Sequence, residues 1–332
     1  MTEPARTVSV VIGVYNGADT ISDCLESLLE QNYPRDAYDI IVVENGSTDN
    51  TTEVVQRYPV RLFHNEVRGL APARNFGLAR SEADVVMTTD ADCIVHPDCL
   101  AELVKPYADP QVGGVGGNIL AYDDGNRNDI ELFSDRYAPL VNYRGGDHEF
   151  LPHFCGAHAS FRRDLLNQIG GFDARLLTAE DIDISWRIQL ETGTRLIYAP
   201  EAIVYHRHRA TQAGLARQYR HYGFSEILLD TMFRDYPEYP RDLKFQLGRL
   251  VGQVAALPRY ALSVALRRAR HVLGRATPYE ALEPRLWLLI ESNNIRGKIE
   301  GLTLTRLMTD PQPALTMGAE ALIKRLFPSR KE

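Results

Sequence analysis

The segment Val8-Ser9-Val10-Val11-Ile12-Gly13-Val14 is almost unbroken in apolar residues near the start of this 332-residue chain. Continuous apolar runs are typical of strands that are buried on both faces of a parallel sheet. Apolar residues then recur at helical spacing, at Ile21, Cys24, Leu25 and Leu28. The pattern therefore predicts a buried strand followed by an amphipathic helix.

The alternation of strands and helices continues beyond this first unit. Strands are predicted at 39–44, 60–64, 83–89, 112–120, 157–161, 196–198 and 203–205, and helices after Asp49 and at 69–80, 129–141, 180–191 and from 211 onward. This alternation favours an α/β fold with a mostly parallel, Rossmann-like central sheet flanked by helices. The C-terminal extension is predicted to be mainly helical.

Polar residues follow three of the predicted strands, at Tyr15-Asn16, Glu44-Asn45 and Asp90-Ala91-Asp92. In open α/β sheets, ligands bind beyond the carboxyl ends of the strands. We therefore expect these three positions to converge. Two carboxylates at i and i+2 can share one hard cation such as Mg²⁺ or Mn²⁺, although an isolated Asp-x-Asp is more often a solvated turn.

Several short motifs resemble those of family 2 glycosyltransferases, in order and spacing, from about residue 7 to residue 210. They are Val10–Asn16, Val43–Asp49, Gly69–Asn75, Asp90–Asp92, Gly170–Asp173, Glu180–Asp183 and Trp186-Arg187. The resemblance implies a GT-A fold and a hexosyltransferase-like enzyme. Such an enzyme would use a divalent metal to transfer sugar from a nucleotide diphosphate sugar, most often a UDP-sugar, with inversion.

The resemblance also implies donor-binding residues. The backbone near Val14 would meet the nucleoside, and Glu44 falls where the family usually has an aspartate that contacts the base. Arg74 would approach the nucleotide, because a guanidinium pairs well with phosphate; the alternative is a surface ion pair with Glu66 or Glu82. Asp90 would serve both the diphosphate and the metal.

Catalytic and acceptor roles follow from the same resemblance. Asp181 is expected to be the general base that takes a proton from the acceptor hydroxyl, with Glu180 as the second candidate or as an acceptor-orienting residue. Both could instead only favour the positive N-terminus of the following helix. His158 and Trp186 are expected near the acceptor, although a structural histidine is an equal interpretation of His158.

A histidine in Tyr205-His206-Arg207-His208 is expected to complete the metal shell. His206 fits that place better than His208, and an imidazole beside carboxylates would suit Mn²⁺ better than Mg²⁺. The metal ligands are thus predicted to be Asp90, Asp92 and His206.

Charge divides the chain into an acidic body and a basic tail. Residues 243–332 hold 15 Lys and Arg against 7 Asp and Glu, whereas the whole chain has a net charge of −7. We expect a catalytic domain at 1–210, with a nucleotide half at 1–95 and an acceptor half at 96–210. The helical region 211–332 could lie on a membrane surface, mediate dimerisation or form a plain helical subdomain.

The sequence also bears on partners and compartment. It has no apolar signal segment near Met1, no 18-residue apolar run and four scattered cysteines, so a cytoplasmic protein is expected, with a peripheral position at the inner face of a membrane left open. The acceptor would be a glycan, a lipid-linked molecule or a small molecule, and nucleic acid is not expected. Two alternatives remain open: transfer to a polyprenyl phosphate, and a catalytically silent nucleotide-sugar-binding subunit.

Overall fold

The computed structural model describes residues 6–142, 150–241 and 243–307. Its strands are β1 Val8–Val14, β2 Tyr38–Glu44, β3 Arg61–His64, β4 Val85–Asp90, β5 Cys93–Val95, β6 Val112–Ala121, β7 His158–Arg162 and β8 Arg195–His206. Its helices are α1 Ile21–Leu29, α2 Thr51–Val55, α3 Leu70–Leu78, α4 Cys99–Val104, α5 Asp129–Tyr137, α6 Arg163–Gln168, α7 Glu180–Thr192, α8 Gln212–Phe233, α9 Leu243–Val272 and α10 Pro278–Leu307.

The eight strands form one mixed, mostly parallel sheet in the order β3-β2-β1-β4-β7-β6-β8-β5. Strand β1 lies between β2 and β4, parallel to both, and β3 extends the parallel part beyond β2. Strand β7 is antiparallel to β4 and β6, and β5 is antiparallel to β8. The parallel N-terminal half of the sheet is the arrangement that the sequence predicts.

The two faces of β1 contribute to two apolar layers. Val10 and Ile12 belong to the layer that contains the buried side of α1, including Cys24, whereas Val11 belongs to the layer under α3 and α7. Gly13 lets α3 approach the sheet closely, because a Cβ there would lie 3.0 Å from the Leu70 Cδ1 atom. The run of apolar residues in β1 is thus explained by burial on both sides.

Two features of the sheet differ from the prediction. The strands expected at 196–198 and 203–205 form one strand, β8. Its pairing with β6 shifts register, because Gly117 of β6 pairs with Ala199 and the next residue, Asn118, pairs with Ile203. An irregularity of this kind lets a strand continue past residues that break its pairing. The three-residue strand β5 was not predicted, because its pairing with β8 is a tertiary contact.

The described residues divide into two units. One contains the sheet, with residues 6–122, 140–142 and 150–207; the other is helical, with residues 123–139, 208–241 and 243–307. The predicted helix at 129–141 ends at Tyr137. Among the described helices, none has both the length and the apolar character that crossing a lipid bilayer requires.

Candidate active site

The carboxyl ends of β1, β2 and β4 lie side by side. Val14 is in register with Glu44, and Gly13 is in register with Asp90. The polar segments that follow these strands therefore leave the sheet at a common edge, as their positions in the sequence predict.

A cavity of about 250 Å³ opens at this edge. Its lining comes from the end of β1, from the residue after β2 and from the start of α3 with the loop before it: Gly13, Val14, Tyr15, Asn45, Arg68, Gly69, Leu70 and Ala73. Tyr15 is half exposed, and the Arg68 guanidinium lies 5.2 Å from the centre of its ring. The cavity lining thus includes two glycines, an aromatic ring and a cation.

Hydrogen bonds hold the loops around the cavity together. Asn16 adopts a left-handed backbone conformation, with φ of 51°, and its Oδ1 accepts a hydrogen bond from the Thr48 N–H at 2.8 Å. Asn45 Oδ1 accepts a hydrogen bond from the Gly69 N–H at 2.8 Å. Asparagine tolerates this backbone region better than most residues. The Asn16 side chain also ties the loop after β1 to the loop after β2.

Glu44 is buried at the end of β2 and turns its carboxylate toward the protein. Its oxygens accept hydrogen bonds from the Ser47 N–H and contact His64 Nδ1, the latter at 3.1 Å. Burial opposes ionisation of Glu44, but the bonds from Ser47 and the contact with His64 outweigh it and hold its pKa below the usual value. Glu44 therefore shapes the Gly46–Asp49 turn, and its carboxylate does not line the cavity.

Asp90, Asp92 and His206 form a cluster in which one ligand atom from each lies within 4.8 Å of the others. Cys93 is in register with His206 across the β5–β8 pair, which brings the imidazole to Asp92, and Asp92 Oδ1 lies 3.6 Å from His206 Nε2. Two carboxylates and one imidazole are a donor set suited to Mn²⁺. The residues that the sequence predicts as metal ligands therefore fit such an ion.

His208, the second candidate for the metal shell, has a different environment. It belongs to the helical unit, where its Nε2 lies 4.0 Å from Asp135 Oδ1. Within the described residues, His206 is the histidine of the Asp90–Asp92 cluster.

Arg74 links this cluster to α7. Its guanidinium is buried and donates to Asp90 Oδ1 at 3.0 Å and to Glu180 Oε1 at 2.5 Å. A Cβ at position 156 would lie 2.3 Å from Arg74 Nη1, so Gly156 leaves the room that the guanidinium occupies. The alternative of a surface ion pair for Arg74 is wrong, because its partners are Asp90 and Glu180 in the interior.

Burial and charge act in opposite directions on this network. Burial raises the pKa of Glu180 to about 8, although Arg74 counters it, and Asp181 and Asp90 add to the rise. Burial alone would lower the pKa of Arg74, but the carboxylates of Glu180, Asp90 and Asp181 raise it above the usual value. Arg74 therefore remains a cation, and the site contains one buried cation among three acidic groups.

Asp181 is the second residue of α7 and is only partly buried. Its Oδ2 accepts a hydrogen bond from the Gly156 N–H at 2.7 Å. The preceding Ala179 has φ of 64°, a left-handed conformation that costs a residue with a Cβ roughly 1 kcal/mol or more. The backbone strain falls directly before Glu180 and Asp181, where it fixes the direction in which α7 begins.

A sequence model described as Glycosyl transferase family 2 matches residues 9–170. The match assigns residues 9–170 to this family. Glycosyltransferase AglE of Haloferax volcanii is 29% identical over 284 residues, which are 83% of this chain and 90% of that protein. Poly-beta-1,6-N-acetyl-D-glucosamine synthase of Staphylococcus aureus strain MSSA476 is 29% identical over 239 residues; these are 68% of this chain but only 56% of that relative.

A solved structure of similar fold is the mannosyltransferase PcManGT from Pyrobaculum calidifontis in complex with GDP-Man and Mn²⁺. It aligns with a TM-score of 0.61 and 25% identity, over 90% of this chain and 88% of that chain. The predicted family, the GT-A fold and the assignment as a glycosyltransferase are therefore confirmed.

The side chains of His158 and Trp186, both expected near the acceptor, contact backbone carbonyl groups of the transferase. His158 is fully buried, its Nε2 contacts the Ala202 carbonyl at 3.0 Å, and burial lowers its pKa to about 4. The Trp186 indole N–H donates to the Leu151 carbonyl at 3.0 Å, and its ring packs against Phe150. These contacts favour the structural interpretation of His158 that the sequence left open.

Sequence reasoning placed Tyr15 at this edge without giving it a role, and it missed Arg68. Tyr15 was marked only by its position after β1, and Arg68 lies in the loop before α3 without a motif of its own. The available signal for Tyr15 was its position directly after a strand, because ligands bind beyond the carboxyl ends of strands in open α/β sheets.

Proposed function

We propose that this transferase moves a hexose-type unit from a nucleotide diphosphate sugar to an acceptor hydroxyl, with inversion at the anomeric carbon and with a divalent metal. The observation that carries the proposal is the convergence of Asp90, Asp92 and His206 with Arg74 and Asp181 beside the cavity edge. Carboxylate, imidazole and guanidinium groups at one site are the parts that a diphosphate leaving group requires.

The nucleoside would occupy the cavity at the end of β1. The backbone near Val14 would meet it, Tyr15 offers a ring face, and Arg68 offers a cation at the rim. Glu44 would act by fixing the turn that follows β2. UDP is our first choice of carrier from the family pattern, and the bound GDP-Man of PcManGT makes GDP the carrier to test beside it.

Asp90, Asp92 and His206 would hold the metal, and Mn²⁺ suits this donor set better than Mg²⁺. When bound, such a cation would neutralise negative charge that develops on the departing diphosphate. Arg74 keeps the Asp90 carboxylate in place, because its second nitrogen is anchored on Glu180. It would thus act on the donor through Asp90.

Asp181 would take the proton of the acceptor hydroxyl as the oxygen attacks the anomeric carbon and the carbon–diphosphate bond breaks. The Gly156 N–H holds one carboxylate oxygen, which orients the side chain. Glu180 is less suited to this role, because it is buried against Arg74. The acceptor would be a glycan, a lipid-linked molecule or a small molecule, and residues 1–210 would carry the whole reaction.

The test is a thermal-shift panel of UDP, GDP, TDP and CMP, each with and without Mn²⁺, followed by transfer assays. A ligand that binds only the native state raises the melting temperature by mass action. We expect one diphosphate to give a metal-dependent shift in the wild type and in Asp181→Asn, and no shift in Asp92→Ala. Transfer should fall by roughly 10²- to 10⁴-fold in Asp181→Asn, the usual loss when a general base is removed.

Asp36→Asn is the matched control, because Asp36 is an exposed carboxylate outside the site. Full transfer by Asp181→Asn to a hydroxyl acceptor would exclude Asp181 as the base. If Asp181 were dispensable only with a polyprenyl phosphate acceptor, which is already anionic, the alternative acceptor would be supported. Tight nucleotide binding without any turnover would instead support a silent binding subunit.

A further inference from the structure

Helix α9 has an unusual composition. Its 30 residues, Leu243–Val272, include six Lys and Arg and no Asp or Glu. The basic side chains are Lys244, Arg249, Arg259, Arg267, Arg268 and Arg270. A helix of this length that only covered a protein core would usually carry both signs of charge on its solvent side.

One side of α9 is joined to α10 by polar contacts. The Gln253 side-chain amide donates to Glu291 Oε2 at 3.0 Å and to Asn294 Oδ1 at 3.1 Å, and its Oε1 accepts from Lys298 at 3.1 Å. Gln246, two turns earlier, is almost fully buried. The side of α9 that contains Gln246 and Gln253 therefore faces the protein.

The opposite side of α9 is apolar and exposed. At 100° per residue its large members fall within about 120° of one another on the helix surface: Val251, Val254, Leu262, Leu266 and Val272. Val251 is 68% exposed and Val272 is 79% exposed. Ala261, Ala265 and Ala269 add a shallow apolar groove on the same side, with Arg268 at its edge. The helix thus turns an apolar stripe to solvent, while its inward side mixes polar residues such as Gln253 with half-buried apolar ones such as Leu257 and Val264.

Basic side chains border this apolar stripe. At 100° per residue, Arg268 falls on one side of the stripe and Arg259 and Arg270 fall on the other. All three residues are exposed. A surface helix with an apolar stripe between basic side chains is suited to the interface of an anionic bilayer, where the stripe enters the headgroup region and the arginines meet lipid phosphates.

We propose that the outer face of α9 binds the surface of an anionic lipid membrane. A second copy of the same face is a poorer occupant, because it would bring like charges together with no carboxylate on α9 to offset them. The proposal is independent of the glycosyl transfer proposed above, since it can be tested without any sugar donor.

The experiment is co-sedimentation of the full chain with vesicles of phosphatidylcholine alone or mixed with phosphatidylglycerol. Binding is expected only to the mixed vesicles and should weaken as salt is raised. The triple variant Arg259→Gln, Arg268→Gln, Arg270→Gln should bind about a hundredfold more weakly, because each basic side chain near an anionic surface contributes roughly fivefold. Leu262→Ser with Leu266→Ser should also weaken binding, because the stripe is part of the contact.

The matched control removes three exposed basic side chains from the other unit, as Arg57→Gln, Lys105→Gln and Arg195→Gln. It lowers the net charge equally and should leave vesicle binding within about twofold of the wild type. Circular dichroism checks that each variant is folded. The proposal would be overturned by equal binding to uncharged vesicles or by loss of binding in the control triple variant. It would also be overturned if the chain bound no vesicles and formed a dimer that Leu262→Ser with Leu266→Ser dissociates.

Discussion

At the scale of single residues, Arg74 shows why residue type matters in this site. Its two terminal nitrogens reach carboxylates from different elements, Asp90 at the end of β4 and Glu180 at the start of α7. A planar guanidinium can make both bonds at once, whereas an ammonium is a single point charge. The geometry of the Asp90–Asp92–His206 cluster therefore depends on a residue outside that cluster.

Arg74→Lys should for this reason destabilise the protein and impair donor binding. The shorter, non-forked side chain cannot hold Asp90 and Glu180 together, and breaking a buried pair costs about 3 kcal/mol. Urea denaturation gives the free energy of unfolding, and the Mn²⁺-dependent thermal shift gives nucleotide binding. Arg57→Lys, at an exposed position, should change neither quantity. An Arg74→Lys variant of wild-type stability would show that the double contact contributes little.

At the scale of elements, glycine sets the distance between α8 and α10. A Cβ at Gly297 would lie 1.9 Å from the Arg220 carbonyl oxygen, and a Cβ at Gly223 would lie 2.1 Å from the Asn294 carbonyl oxygen. The two helix backbones are therefore in contact at both positions. Within the same unit, an apolar cluster that includes Phe133 and Leu286 joins α5 to α8 and α10.

Gly297→Ala should lower the free energy of unfolding by about 1–3 kcal/mol, because the added methyl group forces the helices apart. The matched control is Gly252→Ala in α9, where a Cβ would meet nothing within 4 Å. That change should raise stability by up to about 1 kcal/mol through helix propensity alone. Urea denaturation followed by circular dichroism measures both, and equal effects of the two substitutions would contradict the backbone contact.

Asp230 of α8 should make stability depend on pH. Burial raises its pKa to about 6, although the hydrogen bond from the Tyr239 hydroxyl acts against the rise. Because the pKa is higher in the folded state, the stabilisation is complete below about pH 4 and is lost as pH rises through about 6. Asp230→Asn should remove this dependence and so gain up to about 2–3 kcal/mol relative to the wild type between pH 4 and pH 7.

Unfolding free energies of the wild type and Asp230→Asn at both pH values provide the measurement. Asp235→Asn is the control, because the Asp235 side chain is 90% exposed. A difference between wild type and Asp230→Asn that does not change with pH would mean that Asp230 keeps an ordinary pKa.

At the scale of the whole molecule, the acidic part of the chain contains the sheet and the described residues of the basic part are mainly helical. Residues 243–332 have a net charge of +8, and residues 1–242 have a net charge of −15. The acidic part contains the sheet and its carboxylate cluster, which suits a site that holds a cation. The basic part contains α9, a helix that has no acidic residue.

The sequence by itself determined the parallel half of the sheet, the Asp90–Asp92 motif at its edge and the family of the enzyme. These features are carried by periodicity and by motifs within short segments, so they can be recognised without knowing which segments meet. Its alternation also predicted that the ends of β1, β2 and β4 would share an edge, because parallel strands must point the same way.

Only the tertiary structure decided which groups meet across long stretches of chain. The buried bridge from Asp90 through Arg74 to Glu180, the pairing that brings His206 beside Asp92, and the contact between α8 and α10 join residues far apart in sequence. Burial in the folded chain, which no local pattern encodes, also sets the pKa of Glu180 and the structural environment of His158. These contacts depend on how strands and helices pack, and packing is a property of the whole fold.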